Sequence, residues 1–382
     1  MLSRGAMNNQ LFIAAAGAGK TTFLVRESLK VLDKKILITT FTEANANGIR
    51  EKFIVEKGFL PSNITIMTWF SFLLQHCVRP YQGCYKEFSE IEIGFMLVSE
   101  KSGYRYKGSN SLVYWGEDNP KKFYLSSDNK IFSDKISKFV CEAIKRSENE
   151  VINRLRLIYD YIFIDEIQDM VGYDLDIIKI FMTYFERVIL VGDPRQCTYS
   201  TCNTTKYKKY SEGRIEDFIR KEIGKKIKCD IDNTTLGFSH RNFGNQCIIS
   251  SLLFPDYPCI KPCSCCRNVP DHVRLQGLYT VRKEKIDSYL SLTHAMQLRW
   301  NNTIEISPLF PAMNMGESKG LTFNHVLIYP TKQMMAWLID HSKILSFEAR
   351  AKFYVALTRS RFSLGIVCDH DDNIPLFLNF DN

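Results

Sequence analysis

The sequence predicts an α/β protein whose sheets are mostly parallel and covered by helices, and three observations predict it. Short apolar, β-branched runs alternate with stretches of helical spacing in the first seventy residues. A run of small residues turns the chain between the first such strand and the first helix, and the strand pattern returns in the C-terminal half after a looser, polar interval. At 382 residues the chain has room for two or three domains of ordinary size. Hydrophobic residues at 45% and charged residues at 24% suit a chain that buries real cores and carries no long disordered tail.

The elements follow in order. Leu11 to Ala15 is a short apolar run that leads into Gly17-Ala18-Gly19-Lys20-Thr21-Thr22, and an amphipathic stretch continues to Leu32, which gives strand, loop and helix. Lys35 to Thr40 is a second strand, Glu43 to Val55 has helical spacing, and Ile64 to Thr68 is a third strand. From about Arg79 to Glu150 the pattern loosens, with a helix near Ile136 to Arg146, and residues 81–150 are expected to form a reduced helical insertion. Strands return at Tyr161 to Ile164 and Val188 to Val191, which would extend the first sheet. The basic stretch Lys206 to Lys228 closes that domain, so residues 1–80 and 151–228 form one unit. Residues 229–382 form a second α/β unit, with Thr322 to Tyr329 and Ser363 to Val367 as its clearest strands and a vestigial insertion at about 255–305.

A net charge of +8 suits a polyanionic partner without demanding one. The first twenty residues run into a glycine-rich loop rather than a cleavage site, and no apolar run reaches the ~18–20 residues that span a bilayer. A cytoplasmic location, with no membrane partner, is therefore expected, and the twelve cysteines should be mainly thiols. Four of them, Cys259, Cys263, Cys265 and Cys266, fall close together with His272 nearby. Zinc usually draws its four ligands from two separated knuckles, and this cluster lacks the second, so thiols of a cytosolic loop are the expectation.

Ala14-Ala15-Ala16-Gly17-Ala18-Gly19-Lys20-Thr21 matches a phosphate-binding loop except for Ala at its first position. Small residues at Ala16, Gly17, Ala18 and Gly19 let backbone N–H groups curl around phosphates, and the next helix points its positive dipole end at them. Lys20 would neutralise the β- and γ-phosphates, the Thr21 hydroxyl would hold magnesium, and Thr22 completes the cradle. Tyr161 to Ile164 ends in Asp165 and Glu166, where Asp165 would coordinate the metal and Glu166 would polarise the attacking water. The competing readings are a tight turn with a surface lysine and a pair of helix-capping acids.

Asp165-Glu166-Ile167-Gln168-Asp169 resembles the DExQD box of UvrD/Rep-like superfamily 1 helicases, and the rest of that family's set follows in order. Phe41-Thr42-Glu43-Ala44-Asn45-Ala46 resembles FTNKAA, Thr68-Trp69-Phe70-Ser71-Phe72-Leu73 resembles TFHSL, and Gly192-Asp193-Pro194-Arg195-Gln196 is similar to GDxxQ. Ser239-His240-Arg241-Asn242 resembles a variant YRS motif, Lys319-Gly320-Leu321-Thr322-Phe323 resembles KGLEF with Thr322 for the usual acid, and Phe353 to Arg359 closely matches FYVALTR. The resemblance implies two RecA-like P-loop domains with reduced accessory insertions, an ATP hydrolase that requires Mg2+, and single-stranded DNA as partner, with RNA less favoured and 3′ to 5′ movement by analogy. It implies Gln196 as γ-phosphate sensor and Arg241 and Arg359 as arginine fingers supplied from a second lobe. Phe41, Thr42, Trp69 and Tyr199 would contact the strand, the aromatics by stacking on bases, with a place in the core as the competing reading for each aromatic and an equal one for Trp69.

Family members usually read adenine with a glutamine on a helix upstream of the loop, and here Gln10 stands immediately before the strand. The large domain that full-size relatives insert between Arg241 and the Gly316 region looks absent or vestigial. Glu317 to Phe323 followed by Val326 to Thr331 also resembles the small UvrD-like proteins that accompany nucleases in anti-phage systems such as Gabija, which implies a nuclease partner. A nucleotide-switched binding subunit without productive unwinding is the alternative from a different class.

Overall fold

The computed structural model describes residues 8–108, 111–198, 205–223, 227–265, 269–271, 273–369 and 374–381. The chain divides into two compact units. The first comprises residues 1–12, 21–192 and 199–232, and the second residues 13–20, 193–198 and 233–382. Among the described residues no helix is long and apolar enough to cross a membrane.

The first unit holds a six-stranded sheet built from β1 (Asn8–Ile13), β2 (Ile36–Thr40), β3 (Ile64–Thr68), β4 (Tyr161–Ile164), β5 (Arg187–Gly192) and β6 (Cys229–Asp232). Their order is β6-β1-β5-β4-β2-β3. The pairs β6–β1, β5–β4, β4–β2 and β2–β3 are parallel. Such strands are covered on both faces and read as near-continuous apolar runs, and all five residues of β2 are buried. Helix α1 (Lys20–Leu29) follows the glycine-rich turn, and α2 (Glu43–Lys57) follows β2. The start of α2 is set by Thr42, whose hydroxyl accepts from the Asn45 N–H at 3.1 Å, and its end by Gly58 at φ 87°.

Between β3 and β4 lies the expected insertion, and it is not purely helical. Two short strand pairs, Gly94–Met96 with Lys130–Phe132 and Tyr104–Lys107 with Leu112–Tyr114, precede helix α3 (Ser133–Arg146) and helix α4 (Glu150–Ile158). Tyr85, Phe88, Tyr124 and Phe139 form its aromatic core, with ring centroids 5.3–6.0 Å apart. Helix α5 (Tyr173–Tyr184) completes the unit.

The second unit holds another six-stranded sheet, built from β7 (Gly277–Arg282), β8 (Met296–Arg299), β9 (Ala312–Asn314), β10 (Phe323–Ile328), β11 (Ser360–Cys368) and β12 (Leu378–Asn379). The order is β9-β8-β10-β11-β7-β12, and every neighbouring pair is parallel. Helices α6 (Gly244–Leu252), α7 (Ile286–Thr293), α8 (Lys332–Ile339) and α9 (Phe347–Leu357) accompany it. One core cluster gathers Val281, Tyr289, Leu290, Ala295, Leu327, Tyr329, Val367 and Phe380. The α/β class with two parallel sheets is therefore present as expected.

Two expected boundaries are corrected. The first unit extends to Asp232, because Cys229–Asp232 pairs with β1; an edge strand is hydrogen-bonded on one side only and need not be apolar throughout. Residues 255–305 are not a vestigial insertion, because β7, α7 and β8 fall inside that range and supply Val281, Tyr289, Leu290 and Ala295 to the second core.

Candidate nucleotide site

In the second unit the small-residue turn is a structured loop. Ala14, Ala15, Ala16 and Ala18 are buried, and Gly17 and Gly19 sit at φ 72° and 78°, which L side chains rarely adopt. A Cβ on Gly17 would lie 2.7 Å from the Arg241 Cβ and 2.8 Å from the Ser239 Oγ, so only glycine lets this stretch approach so closely. The His240 N–H donates to the Gly17 carbonyl at 2.9 Å. Lys20, Thr21 and Thr22 form the first turn of α1, whose ten residues give the loop a helix N-terminus.

Asp193 is the hub beside this loop. It is fully buried, its Oδ1 accepts from the Arg195 Nε at 2.7 Å, and its Oδ2 accepts from Gln196 Nε2 at 3.1 Å and from the Tyr354 hydroxyl at 3.0 Å. The Tyr354 oxygen in turn accepts from the Ala16 N–H at 3.4 Å, and Arg195 donates to the Ala14 carbonyl at 2.7 Å. Gln196 Oε1 accepts from Arg359 at 3.4 Å. Arg359 also donates to the carbonyls of Val355 and Leu321 and to the Thr358 hydroxyl, which fixes its guanidinium in place. The structure thus brings together Gly17, Gln196, Arg241 and Arg359 of the expected set. It adds Asp193, Arg195 and Tyr354, which reading the motifs one residue at a time had left without roles.

Arg241 and Asn242 are pinned to the end of α9. Arg241 donates to the Thr358 carbonyl at 3.1 Å, and Asn242 donates to the carbonyls of Thr358 and Ser360. Gln246, one helical turn further, donates to the Leu357 carbonyl at 2.6 Å. The electrostatics of two arginines differ in sign. Burial works against the Arg195 charge, but the adjacent Asp193 carboxylate outweighs it and raises its pKa. Burial depresses the pKa of Arg241 well below the usual guanidinium range, and the charges of Arg359 and Arg361 push it down further. Burial also drives the Tyr354 phenol upward, keeping it a neutral donor to Asp193. A group of guanidinium charges of this kind fits a polyanionic ligand such as a triphosphate.

The acid pair belongs to the first unit. Asp165 and Glu166 are both buried at the end of β4, where Asp165 donates its N–H to the Thr39 carbonyl at 2.8 Å. Glu166 adopts φ 56°, a left-handed conformation that costs roughly 1–3 kcal/mol in a non-glycine residue. Its N–H donates to Asp165 Oδ1 at 2.9 Å, and Gln168 Nε2 donates to its carboxylate. A Cβ on Gly192 would collide with the Gln168 side chain and lie 2.7 Å from Ile167 Cγ2, so the glycine of the GDxxQ-like motif is what admits the acid box beside it. The hydroxyls of Thr39 and Thr40 are buried without a hydrogen-bond partner at the end of the neighbouring strand β2. Two buried carboxylates at a strand end are hard oxygen donors of the kind that could hold Mg2+.

Other expected residues stand elsewhere. Gln10 lies in the first half of β1, where its side-chain oxygen accepts from Arg187 at 3.0 Å. Trp69 is not a stacking surface. It is fully buried, packs against Phe72 and Phe181, and donates its indole N–H to Asp174 at 2.7 Å. Phe41 is half-buried with its ring edge-on to Phe70 at 5.9 Å, and the exposed Thr42 caps α2. Tyr199, Cys266 and His272 lie outside the described residues. In the basic stretch, Lys206, Lys209, Arg220 and Lys221 are ion-paired with Asp176, Glu222, Glu216 and Asp217. That is the pattern of a solvated, charge-balanced face.

The fold defines an α/β chain of two parallel sheets with a glycine-rich loop opening its first helix. A family model described as AAA domain matches residues 4–201, just over half of the sequence, and the chain belongs to that family. A probable DNA helicase II homolog of Mycoplasma capricolum subsp. capricolum is 25% identical over 238 residues, covering 49% of this chain and 32% of the relative. The chain therefore spans about a third of that relative's length. Among solved structures, the arterivirus nonstructural protein 10 helicase aligns over 96% of this chain and 60% of its own, with a TM-score of 0.45 and 15% identity. The same helicase with DNA gives 0.45 at 14% identity over 94% and 60%, and a PRRSV helicase gives 0.43 at 14% over 96% and 54%.

Proposed function

We propose that this chain is an ATP-driven superfamily 1 helicase or translocase that hydrolyses ATP in response to single-stranded DNA. The observation that carries the reading is the continuous path from Ala16 in the loop through Tyr354 and Asp193 to Gln196 and Arg359. A path of this kind gives a sensor glutamine and an arginine a fixed relation to the loop that would hold phosphates, and transition-state charge is stabilised best by donors fixed in advance. In this reading residues 16–22 cradle the phosphates, with Lys20 neutralising charge and Thr21 and Asp165 as the Mg2+ ligands. When bound, Mg2+ supplies charge neutralisation at the phosphates. Glu166 accepts a proton from the attacking water, Gln196 senses the γ-phosphate, and Arg241 and Arg359 hold the charge that builds on it.

The family membership and the similarity to a probable DNA helicase II homolog support a motor and favour DNA over RNA. Phe41 and Thr42 on the β2–α2 connection, together with Tyr199, are the proposed strand contacts. Movement 3′ to 5′, a cytoplasmic location and service beside a nuclease in a Gabija-type defence system are the finer parts of the proposal, carried by the motif resemblance. The decisive experiment measures ATPase rate with and without single-stranded DNA for wild type, Lys20→Ala, Glu166→Gln and Arg359→Ala. DNA should stimulate the wild type, and each variant should lose turnover while keeping its circular dichroism. Full activity in any variant removes that residue from its role, and a wild type that binds ATP without stimulation is a nucleotide-switched binding subunit instead.

A further inference from the structure

We propose that His240, Cys263 and Cys265 form a binding site for a thiophilic divalent cation, zinc above all. Among the described residues they are the one group of His, Cys, Asp or Glu whose ligand atoms converge, all lying within 4.8 Å of one another. The cysteine cluster alone offered no second knuckle, and the fold supplies the missing partner from a residue more than twenty positions upstream.

The backbone explains the convergence. Phe238–Ser239 and Lys261–Pro262 form a two-stranded parallel ribbon, with Ser239 opposite Pro262. The residues that leave the two strands, His240 and Cys263, therefore emerge side by side, and the Cys263 N–H donates to the Ser239 carbonyl at 2.9 Å. The turn at Ser264 brings Cys265 back over the pair. Its sulfur lies 3.2 Å from Cys263 Sγ and 3.6 Å from His240 Nδ1. Tetrahedral zinc with its usual bond lengths sets sulfur–sulfur and sulfur–nitrogen separations of about 3.8 and 3.5 Å, close to the two that Cys265 makes, and the whole group lies within 4.8 Å.

Ligand chemistry narrows the cation. Two thiolates and an imidazole select zinc over magnesium or calcium, which take oxygen donors. Cys263 is buried while His240 and Cys265 are exposed, so the ion would be anchored from inside, and no fourth ligand stands among the described residues. The three residues line a depression of about 790 Å³ which Arg241, Arg361, Val269 and Gln276 also line. Cys259 is outside the group, its thiol directed at the Ile260 carbonyl. Because the His240 N–H holds the Gly17 carbonyl, a cation on the His240 ring stiffens the stretch that abuts the glycine-rich loop.

The test reads metal and not nucleotide chemistry, so its outcome is independent of the proposed motor activity. Wild-type chain purified under reducing conditions without chelator should carry about one zinc per chain by mass spectrometry of the metal, as two thiolates and an imidazole on one ion would retain it. Cobalt titrated into the stripped wild type should give thiolate-to-cobalt charge-transfer absorption and the visible bands of a tetrahedral ion. His240→Ala and Cys265→Ser should each weaken cobalt binding about tenfold or more, whereas Cys259→Ser should bind like wild type. Wild-type protein with native circular dichroism but no zinc and no cobalt bands overturns the site. So does a Cys263–Cys265 disulfide in protein prepared anaerobically, or unchanged cobalt binding in both ligand variants.

Discussion

Arg195 and Arg241 are two arginines of one unit that meet opposite electrostatic fates. Arg195 is almost fully buried yet balanced: Asp193 takes its Nε, the Ala14 carbonyl takes its NH2, and the rings of Tyr354 and Tyr257 lie 5.4 and 5.5 Å from its guanidinium. Arg241 has the Thr358 carbonyl but, among the described ion pairs, no carboxylate, and its charged neighbours are Arg359 and Arg361. A buried charge whose partner is built in serves the fold, because removing either member strands the other in a medium that solvates it poorly. A charge whose neighbours repel it serves a ligand, because only an incoming anion completes the balance.

The largest expected effect separates the two residues. Arg241→Ala should lower ATP turnover by about 10³-fold, the scale of a lost arginine finger, while the melting temperature stays the same or rises as like-charge repulsion is relieved. Arg195→Ala should destabilise the chain by roughly 3–5 kcal/mol, because Asp193 is left buried without its cation. Turnover and denaturant unfolding measured on both variants check the contrast. If Arg241→Ala unfolds the chain, or Arg195→Ala unfolds no more easily than wild type, the division into fold-serving and ligand-serving charge is wrong.

Tyr354 tests the balanced side more gently. Tyr354→Phe keeps the ring under Arg195 but removes the hydroxyl that joins the Ala16 N–H to Asp193, so the Ala16 N–H loses its acceptor and Asp193 one of its donors. The expected cost is about 1–3 kcal/mol in urea unfolding, with a weaker affinity for ATP because the loop loses a tether. An unchanged unfolding midpoint would mean that the 3.4 Å contact from Ala16 carries nothing.

The same division applies to the aromatics first read as strand contacts. Trp69 has its partner in Asp174, so Trp69→Phe should cost roughly 1–3 kcal/mol of stability and leave affinity for single-stranded DNA intact. Phe41 retains exposed ring surface beside Phe70, and Phe41→Ala should weaken binding of oligo-dT, followed by fluorescence anisotropy, by the ~1–3 kcal/mol of one base stack. A DNA defect in the tryptophan variant alone would reverse the assignment.

What could be read without coordinates followed from local physics. The strands β2 and β4 and the loop between β1 and α1 were legible because a strand buried on both faces must be apolar along its length, and a phosphate cradle must be built of small residues; β3 was legible by its alternation of buried and half-buried positions. The strands Cys229–Asp232, Gly277–Arg282 and Met296–Arg299 were not, because short strands with polar or glycine positions give no periodic signal of their own. At the site, Arg241 and Arg359 were visible inside their motifs, whereas Asp193 and Tyr354 matter through each other across 161 positions of chain. Trp69 shows the converse: the motif leaves strand contact and core equally open for this aromatic, and its full burial with the Asp174 partner on α5 decides for core. His240 and Cys263 are a third case, joined by a two-residue ribbon too short to announce itself.

The smallest expected effect is also the most direct probe of the uncompensated charge. An anion that binds only the folded state stabilises it by about 1.4 kcal/mol at ten times its dissociation constant, whatever the chemistry that follows. Pyrophosphate carries the charge of the phosphates without a base or sugar, so it should raise the melting temperature of the wild type by a few degrees, and that of a Lys20→Ala variant by less. Polyvalent anions also stabilise proteins generally by exclusion from their surfaces, so the informative quantity is the difference between variants at equal ionic strength. Arg241→Ala should lose most of the pyrophosphate shift and keep the general one shown by sulfate. Tyr354→Phe, whose change lies on the balanced side of the network, should keep the larger part of both. Equal pyrophosphate shifts in wild type and Arg241→Ala would place the anion elsewhere, and the repulsion among Arg241, Arg359 and Arg361 would then need another partner to explain it.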